Sequence, residues 1–484
     1  MTILGPLLIP LVTALLTAAL HHHHRVCQWA SLAGAAALLA AALWLVIRVV
    51  GDGPVTVGLG GWPLPYAIGF TADRLSAAMV LVTAVLGLAA LIYRQGMPGP
   101  GEEGGFTHPL VHGLLASTAG AILTADLFNL YVWFELMLIA VLGLLLLGGQ
   151  RRQLEAAFKY LVLNLVGTLL LLASVALIYG ATGQLNFAGL TEATREPDIG
   201  AAIPGYVALL VLAFLVKAAA FPLFFWLPAS YHTLPGPLLA LVGGLVTKVA
   251  IYVLMRLLGD VFVHQPAVLY QALGWIAVVT MVSGVLGAAY HWDLRRILAF
   301  HVVSQIGYLL LAIALASPAA GSAGLFFLVH NILAKAALFL IAGIMWRTAG
   351  HFDLRRIGGL YPARPLLAAL FLVAGFSLVG LPPTTGFWGK FLLVQEAFLQ
   401  ERYAWGGLAL AVGLLTLYSM VKIWLEGFWK PHPASPPGTV SGLTPAYVAV
   451  GGLAVVLLVM GLNPEPFIRY ADLATASLWT GGRP

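Results

Sequence analysis

The sequence predicts an all-α polytopic membrane protein with about fourteen transmembrane helices, and three observations support that class. Hydrophobic residues make up 61% of the 484 positions, and charged residues make up only 9%. Soluble domains carry about 25% charged residues, so a soluble domain of this length is excluded. The mean hydropathy of +0.96 agrees with the composition. Apolar runs of about twenty residues, each long enough to cross a bilayer as a helix, succeed one another along the chain.

The apolar runs place the helices in chain order. The first run has no cationic region before it and no clear cleavage site, so it is expected to be a span rather than a signal peptide. The arginines lie almost entirely between the runs. The spans are expected at 2–20, 27–49, 73–93, 109–124, 127–148, 157–179, 204–221, 237–259, 268–290, 297–316, 322–346, 366–400 with an interruption, 405–428 and 444–463.

Basic residues between the spans predict the orientation of the chain. An even number of spans puts both termini on one side, and the loops of the opposite side carry twelve basic residues against seven. The positive-inside rule therefore places both termini outside the cytoplasm. The twelve are Arg25, Arg94, Arg151, Arg152, Lys159, Arg295, Arg296, Arg347, Arg355, Arg356, Arg364 and Lys430.

Prolines interrupt the seventh and twelfth spans. The segment FPLFFWLPASYHTLPGP follows Lys217 closely, and LPPTTG stands before the resumed run FWGKFLLV. A broken helix is tolerated in lipid only where it lines a protein cavity or a water path. Breaks at matching places in two halves, 109–260 and 268–428, indicate an internal repeat, either direct or inverted. The flanking regions, 1–108 and 429–484, hold the first three spans and the last span with its tail.

Four of the seven lysines lie well inside apolar runs: Lys217, Lys248, Lys335 and Lys390. Lysine is ordinarily a surface residue, because burying an ammonium in hydrocarbon costs on the order of several kcal/mol unless it is neutralised or paired. Intramembrane lysines are therefore typical sites of proton binding and release. Their placement predicts a proton path. The alternative, a scaffold that conducts nothing, would retain these costly residues without a use for them.

Glu135, in LFNLYVWFELMLIAV, is the acidic residue near the middle of an apolar span. A lone buried carboxylate stays protonated, so a basic partner is expected, and Lys217 ahead of the first break is the natural one. If the two are paired, each keeps the other charged, and separating them favours a lysine that has released its proton. The alternative is a structural ion pair that clamps two helices.

Lys248 follows Gly243 and Gly244, and Gly244 lies one turn before it on the same face. The absent side chains let a neighbouring helix or a water approach closely, which suits a central proton acceptor. The alternative is a lysine that snorkels to the surface, which its depth in the span disfavours. Lys390 lies two turns beyond the second break, where it mirrors Lys217 and is the candidate for the far end of the path.

Polar residues in the tenth and eleventh spans are placed to connect the central lysine with the far end. Lys335 shares its helix face with Asn331, whereas His330 points elsewhere on that helix. His301 and Ser304, in LAFHVVSQIGY, are spaced to lie on one face. For the two histidines, a relay role and a purely structural hydrogen bond between helices are both open.

Other features argue against several functions. The single cysteine, Cys27, excludes an internal disulfide and a cysteine-ligated cluster within the chain, so any redox chemistry belongs to another subunit. The basic residues are scattered rather than gathered in a patch, which argues against a nucleic-acid partner despite the net charge of +6. The histidine run that begins at His21 is a weak metal site, because no second ligand cluster accompanies it. No cofactor is expected.

Several segments resemble the antiporter-like subunits shared by respiratory complex I, membrane-bound hydrogenases and Mrp-type sodium/proton antiporters. They are FKYLVLNLVGTLLLLASVALIYGATGQLNFAGL, VKAAAFPLFFWLPASYHTLPGP, DLRRILAFHVVSQIGYLLLAIAL, and DLRRIGGL followed by SLVGLPPTTGFWGKF. The resemblance extends from about residue 55 to about residue 430. Within the family, GLGGWPLPYAIGFTADRLSAAMV, LVTKVAIYVLMR, VHNILAKAALFLIAG and the lysine at position 390 resemble the D-type branch of the Mrp antiporter subunits most.

The resemblance implies a fold and a set of roles. It implies two inverted repeats of five helices each, broken seventh and twelfth helices, and a midplane chain of buried charges. A second histidine that some members have beside the first is Asn331 here, so a relay of histidines alone is not expected. The implied roles are an ion pair for Glu135 and Lys217, the centre for Lys248, the exit for Lys390, and the link for Lys335 and His330.

The resemblance also implies a function. It is that of a proton-translocating subunit of a multisubunit Mrp antiporter, a secondary transporter rather than an enzyme, in the cell membrane of a bacterium or archaeon. The expected partners are other integral-membrane subunits, protons, sodium ions and the lipid bilayer. The alternative is the corresponding subunit of a membrane-bound hydrogenase or a complex I type oxidoreductase. The shortage of midplane carboxylates favours a sodium route elsewhere in the complex.

Overall fold

The computed structural model describes residues 2–62, 66–97, 105–195, 202–432 and 440–480, and most of them are helical. The first helices are α1 (Gly5–Ala19), α2 (His24–Asp52), α3 (Arg74–Gly96), α4 (Thr107–Leu123), α5 (Leu127–Leu146), α6 (Arg151–Thr182) and α7 (Phe187–Ala193). They are followed by α8 (Ile203–Ala218), α9 (Trp226–Ser230), α10 (Gly236–Arg256), α11 (Ala267–Tyr290), α12 (Leu294–Leu315) and α13 (Pro318–Ala349). The last are α14 (Leu360–Ala363), α15 (Pro365–Val379), α16 (Thr385–Leu399), α17 (Tyr403–Ile423), α18 (Thr444–Leu462) and α19 (Glu465–Thr475).

Ten helices in the described part of the chain are long and apolar enough to cross a membrane, and α1, α8 and α15 are shorter apolar helices. The polytopic helical class is therefore confirmed. The largest difference from the predicted limits is at α6, which was expected at 157–179. This helix begins earlier because a capping box between Gln150 and Gln153 starts it before the apolar run. The first turns of α6 are polar, so hydropathy alone does not find them.

Both predicted helix breaks are present. After α8 ends, Ala219 has φ +59°, and the chain passes through a short linker and α9 before α10 begins. After α15 ends, Gly380 has φ +90°, and α16 begins at Thr385. The last carbonyls of a half-helix have no partner within their own helix. The two breaks therefore offer backbone oxygens to side chains and to water inside the membrane.

Three helices form the centre of the protein. The apolar stretch of α10 is 100% buried, and those of α12 and α13 are 94% buried. By contrast, only 33% of the stretch in α2 and 39% of that in α6 are buried. Large apolar side chains such as Ile47 on α2 and Leu169 on α6 face outward, as expected of a surface against lipid or membrane partners. The central helices carry Lys248, His301 and Lys335, so these side chains are shielded on every side.

The most extensive helix contact joins α11 and α12. A Cβ atom on Gly284 would lie 2.3 Å from the Ser304 nitrogen, and one on Gly307 would lie 2.5 Å from the Ala277 oxygen. Close approach of this kind drives helix association in membranes, where lipid is as apolar as the side chains. The two glycines therefore hold the His301 helix in place from one side.

Several short elements were not predicted, among them a pair of strands and the helix α19. Strand β1 (Val55–Gly58) pairs antiparallel with β2 (Gly69–Ala72) after α2. Helix α19 lies against α13 and α3, and Ser322 donates a hydrogen bond to Asp472 Oδ1 at 2.5 Å. Elements this short lack the long apolar run by which spans are identified.

An ion pair fixes the end of the central helix α10. Arg256 Nη1 and Nη2 contact Asp73 Oδ2 and Oδ1 at 2.5 and 2.8 Å, and Asp73 also caps α3 by accepting from the Ser76 nitrogen at 2.8 Å. Both side chains are largely buried, at 13% and 21% exposure. A bidentate pair of this kind is strong, and removing one partner leaves a buried charge.

The variant Asp73→Asn should therefore lower the stability of the protein. It keeps a capping oxygen but leaves the Arg256 charge without its main partner, and we expect a loss of about 2 kcal/mol. The measurement is the melting temperature of the purified protein in detergent. Asp52→Asn, which removes an exposed pair with Arg48, is the matched control and should have almost no effect. Equal shifts for the two variants would contradict the prediction.

Candidate functional site

Glu135 and Lys217 lie together, with a third side chain between them. The Lys217 Nζ atom is 4.0 Å from Glu135 Oε1. Thr168 on α6 donates its hydroxyl hydrogen to Glu135 Oε1 at 2.6 Å and accepts a hydrogen bond from Lys217 Nζ at 3.0 Å. A hydroxyl that donates to an acid and accepts from an amine connects the two by a continuous hydrogen-bonded route.

The two ends of this group differ in their surroundings. Lys217 is 4% exposed, lies in the last turn of α8 and has the Phe134 ring centroid 5.3 Å from its Nζ atom. A helix C-terminus and an aromatic face both favour a cation. Glu135 is 26% exposed on the outer side of α5. The acid can therefore be reached from outside the chain, whereas the amine is enclosed.

The sequence patterns did not point to Thr168, which stands in the apolar stretch LNLVGTLLLL. Threonine in a membrane helix commonly bonds a carbonyl of its own helix, so it gave no signal by itself. Its neighbour Gly167 was the available sign. A Cβ atom there would lie 3.2 Å from Val216 Cγ1, which shows how closely α6 approaches α8 beside Lys217.

Lys248 is completely buried at the centre of α10 and donates a hydrogen bond to the Gly243 oxygen at 2.6 Å. The glycines before it do let neighbouring helices approach. A Cβ atom on Gly243 would lie 2.7 Å from Phe339 of α13, and one on Gly244 would lie 2.6 Å from Leu86 of α3. The lysine does not snorkel, because its amine bonds backbone inside the helix bundle.

Lys335 is also completely buried, and its hydrogen bond to the Leu298 oxygen is long, at 3.4 Å. Its amine is within electrostatic range of both Lys248 and Lys390. Asn331, one turn before it, has an amide oxygen and nitrogen that are buried without a protein partner. Buried polar groups of this kind are usually hydrogen-bonded to water, so a water beside Lys335 is expected.

Lys390 is held by the broken twelfth helix itself. Its Nζ atom donates to the Leu378 and Val379 oxygens at 3.0 and 2.9 Å, and the Tyr308 ring centroid is 4.8 Å away. Those carbonyls end α15, and the negative end of a helix dipole favours a cation. Lys390 follows the second break in the sequence, whereas Lys217 precedes the first break. The two lysines therefore match in lying beside a break, but not in their order relative to it.

His330 joins the two parts of the same broken helix. Its Nδ1 atom is 2.8 Å from Thr385 Oγ1, and Thr385 Oγ1 is 2.6 Å from Ser377 Oγ. Ser377 belongs to α15 and Thr385 begins α16. The His330 Nε2 atom is buried without a protein partner. The histidine thus stabilises the break with one nitrogen and has the other nitrogen available for a proton.

His301 bonds an outer helix rather than its predicted neighbour. Its Nε2 atom is 2.8 Å from Ser419 Oγ on α17, while Ser304 donates to the Met281 oxygen at 3.0 Å. A protonated His301 would be repelled electrostatically by Lys335, Lys390 and Lys422. Lys422, which was not singled out from the sequence, donates to two carbonyls that end α11 at 2.7 Å each, an ordinary cap for a helix C-terminus.

The predicted residues therefore form two groups. One is the ion pair of the first half with its bridging hydroxyl. The other gathers lysines and histidines around the second break, and Lys248 lies at the edge of this group. Within the described ranges, no set of three or more histidine, cysteine, aspartate or glutamate side chains is placed to hold a metal ion. The arrangement is a series of lysine amines, and each amine is bonded to a neutral oxygen. Amines in such surroundings can gain and lose protons.

Known proteins resemble this chain in sequence and architecture. Residues 124–462 match the family described as NADH:quinone oxidoreductase/Mrp antiporter, TM. The chain belongs to this family. A relative from Alkalihalophilus pseudofirmus, named as the D component of a Na(+)/H(+) antiporter, is 36% identical over 466 residues, which are 96% of this chain and 94% of the relative. The resemblance to the D-type branch of the Mrp antiporter subunits is confirmed.

Solved structures agree with this assignment. A chain in the structure of the Mrp complex from Dietzia sp. DQ12-45-1b superposes with a TM-score of 0.93 at 32% identity, covering 99% of this chain and 97% of that one. A chain of the membrane-bound sulfane sulfur reductase, an archaeal respiratory membrane complex, superposes with a TM-score of 0.90 at 24% identity, covering 98% and 97%. The second likeness concerns the fold alone.

The glycine at the second break is required by both its conformation and its neighbours. In Gly380→Ala, the new Cβ atom would lie 3.0 Å from Lys390 Cδ and 3.2 Å from the Gly386 oxygen. Gly350→Ala is a matched control, because Gly350 also has a positive φ, of +80°, but open space around it. Each change costs about 1 kcal/mol for the left-handed backbone, and Gly380→Ala should cost about 1 kcal/mol more through crowding.

The measurement is the difference between the melting temperatures of the two variants in detergent. Gly380→Ala should melt at the lower temperature. Identical melting temperatures would show that Lys390 is not packed against the break as the structure has it.

Proposed function

We propose that the chain is the proton-translocating subunit of a multisubunit Mrp-type sodium/proton antiporter in a bacterial cell membrane. Its partners are other integral-membrane subunits. The family membership supports the type of complex, and the Glu135, Thr168 and Lys217 arrangement carries the assignment of proton movement. In that arrangement an acid reachable from outside the chain is joined by one hydroxyl to an enclosed amine.

The first step uses this group as a gate. While Lys217 and Glu135 face each other through Thr168, each favours the charged form of the other. When the pair opens, the amine loses the acid's stabilisation and releases its proton toward the centre. The break after α8 supports such movement, because a short linker and α9, rather than a continuous helix, follow Lys217.

The second step passes the proton along the central helices. Lys248 receives it, Lys335 is the intermediate within electrostatic range of both neighbours, and Lys390 is the exit beside the second break. His330 contributes its buried Nε2 atom next to that break. Asn331 has unpartnered amide atoms that suit a water in the path. His301 serves as a side connection, since its hydrogen bond leads to α17.

The proposal includes a membrane topology of fourteen crossings. The ten long helices each cross once. The remaining four crossings are α1, α4, and the broken pairs that start with α8 and α15. The helices then group as three N-terminal spans within 1–108, inverted five-helix repeats within 109–260 and 268–428, and a final span within 429–484. Both termini lie outside the cytoplasm, which the excess of basic residues in the opposite loops supports.

Removal of either charge of the gate should abolish transport. In Glu135→Gln or Lys217→Met, the pair that alternates between closed and open is lost, and we expect at least a hundredfold lower sodium-dependent proton flux in vesicles. Assembly of the complex should continue, as checked by copurification of its subunits. Lys430→Ala, which removes a lysine that pairs with Glu426 near the membrane surface, is the control and should transport normally. Unchanged flux in the Glu135 and Lys217 variants would refute the mechanism.

Thr168 should matter through its hydroxyl rather than its shape. Thr168→Val has the same branched form but no hydroxyl, so the bridge between acid and amine is broken. We expect about a tenfold or greater loss of flux, comparable to removal of a charge-assisted hydrogen bond. Thr168→Ser keeps the hydroxyl and should retain most of the flux. Equal activity of the valine and serine variants would show that the bridge has no part in transport.

A further inference from the structure

Arginines surround a cavity of about 430 Å³ at the membrane side that the basic loops predict to be cytoplasmic. Arg152 comes from the start of α6, Arg295 from the start of α12 and Arg347 from the end of α13. Among the described residues that line it, these three are cationic and none is acidic. The remaining wall includes Gln150, Gln153 and the linker before α10.

The nearby carboxylates do not balance this charge. Asp293 Oδ2 is 3.8 Å from Arg295 Nη2, and its Oδ1 atom accepts from the Arg296 nitrogen as the cap of α12. Glu155 pairs with Arg151 at 3.3 Å. Arg295 lies within electrostatic range of both Arg152 and Arg296. Like charges held together repel one another, so a further anion in the cavity would stabilise the cluster.

One arginine is positioned as if to receive a ligand. Arg295 stacks on the Phe352 ring, with its Cζ atom 3.8 Å from the centroid, so its orientation is fixed. Its Nε atom is buried and has no hydrogen-bond partner in the protein. A guanidinium held in one orientation loses little side-chain entropy when its remaining donors bind an anion.

The N-terminus of α10, in the cavity wall, also favours an anion. α10 is 21 residues long and begins at Gly236 in the cavity wall without a side-chain cap. Its N-terminus carries a partial positive charge and unpaired N–H groups, which bind oxyanions. Arginines match the oxygens of a phosphate in pairs. Trp346 and Phe352 give the cavity an apolar wall.

We propose that this cavity binds a phosphate-type oxyanion, supplied either by the headgroup of an anionic phospholipid or by free phosphate. The bound anion would join α6 of the first half to α12 and α13 of the second half. It would also contact the linker that ends the first helix break. Occupancy would therefore hold together the two halves around α10, which carries Lys248. This role is separate from proton transfer and needs no ion flux to be tested.

The test is thermal unfolding of the purified intact complex in detergent at constant ionic strength. The probes are dioctanoyl phosphatidylglycerol, dioctanoyl phosphatidylcholine and inorganic phosphate, each titrated separately. The variant Arg152→Gln/Arg347→Gln removes two exposed cations and spares the packed Arg295. Arg356→Gln removes an exposed cation on the same side that does not line the cavity, and it serves as the control.

The wild-type complex and the control should show a saturable rise in melting temperature. Half-saturation should require at least about tenfold more probe in the double variant, as expected when charged hydrogen bonds to an anion are removed. A rise with phosphatidylglycerol but not with inorganic phosphate identifies a lipid headgroup, and a rise with inorganic phosphate identifies the free ion as sufficient. The proposal is overturned if neither probe gives a saturable rise. It is equally overturned if the double variant responds like wild type, or if phosphatidylcholine is as effective as phosphatidylglycerol.

Discussion

The cost of placing an amine inside a membrane governs the rest of this structure. Each of the four buried lysines donates a hydrogen bond to an oxygen. Among the described ion pairs, only Lys217 of these four lies near a carboxylate. Lys248 and Lys390 bond backbone carbonyls, and Lys335 has one long bond to a carbonyl. Neutral oxygens stabilise an ammonium less than a carboxylate does, and they tolerate the neutral amine as well. This choice of partner suits the proposed release of protons by the lysines.

The helix breaks follow from the same constraint. Inside a continuous helix each carbonyl already accepts a bond from its own helix, so a lysine there must share an oxygen, as Lys248 does with Gly243, whereas a helix end offers oxygens without such a partner. At the second break, α15 ends at Val379 and its last oxygens accept from Lys390, while His330 bonds Thr385 after the gap and Thr385 bonds Ser377 before it. The interruption thus supplies a binding site for a cation at a depth where water is scarce. Its proline and glycine residues are the means by which the sequence specifies that site.

These features differ in how far the sequence alone predicts them. A lysine and a proline in an apolar run are both local signals, so the buried lysines and the helix breaks could be located without a structure. Thr168 and Ser419 could not, because their importance depends on which helix lies opposite, and that is a tertiary property. Lys422 gives no such signal because it lies near the end of its predicted span, close to Glu426 and Lys430, where a lysine can snorkel to the membrane surface. Its bonds to the end of α11 appear only once the helices are packed.

The uneven distribution of acids has a consequence for how charge moves. In the first half, Glu135 offsets the charge of Lys217, so a proton can rest there at little electrostatic cost. The amine of Lys335 interacts electrostatically with those of Lys248 and Lys390. None of these three lysines contacts a carboxylate in the described hydrogen bonds and ion pairs. A charge on one of these amines therefore disfavours a charge on the next. In the proposed path, a proton that arrives at Lys248 would therefore repel one already on Lys335 toward Lys390.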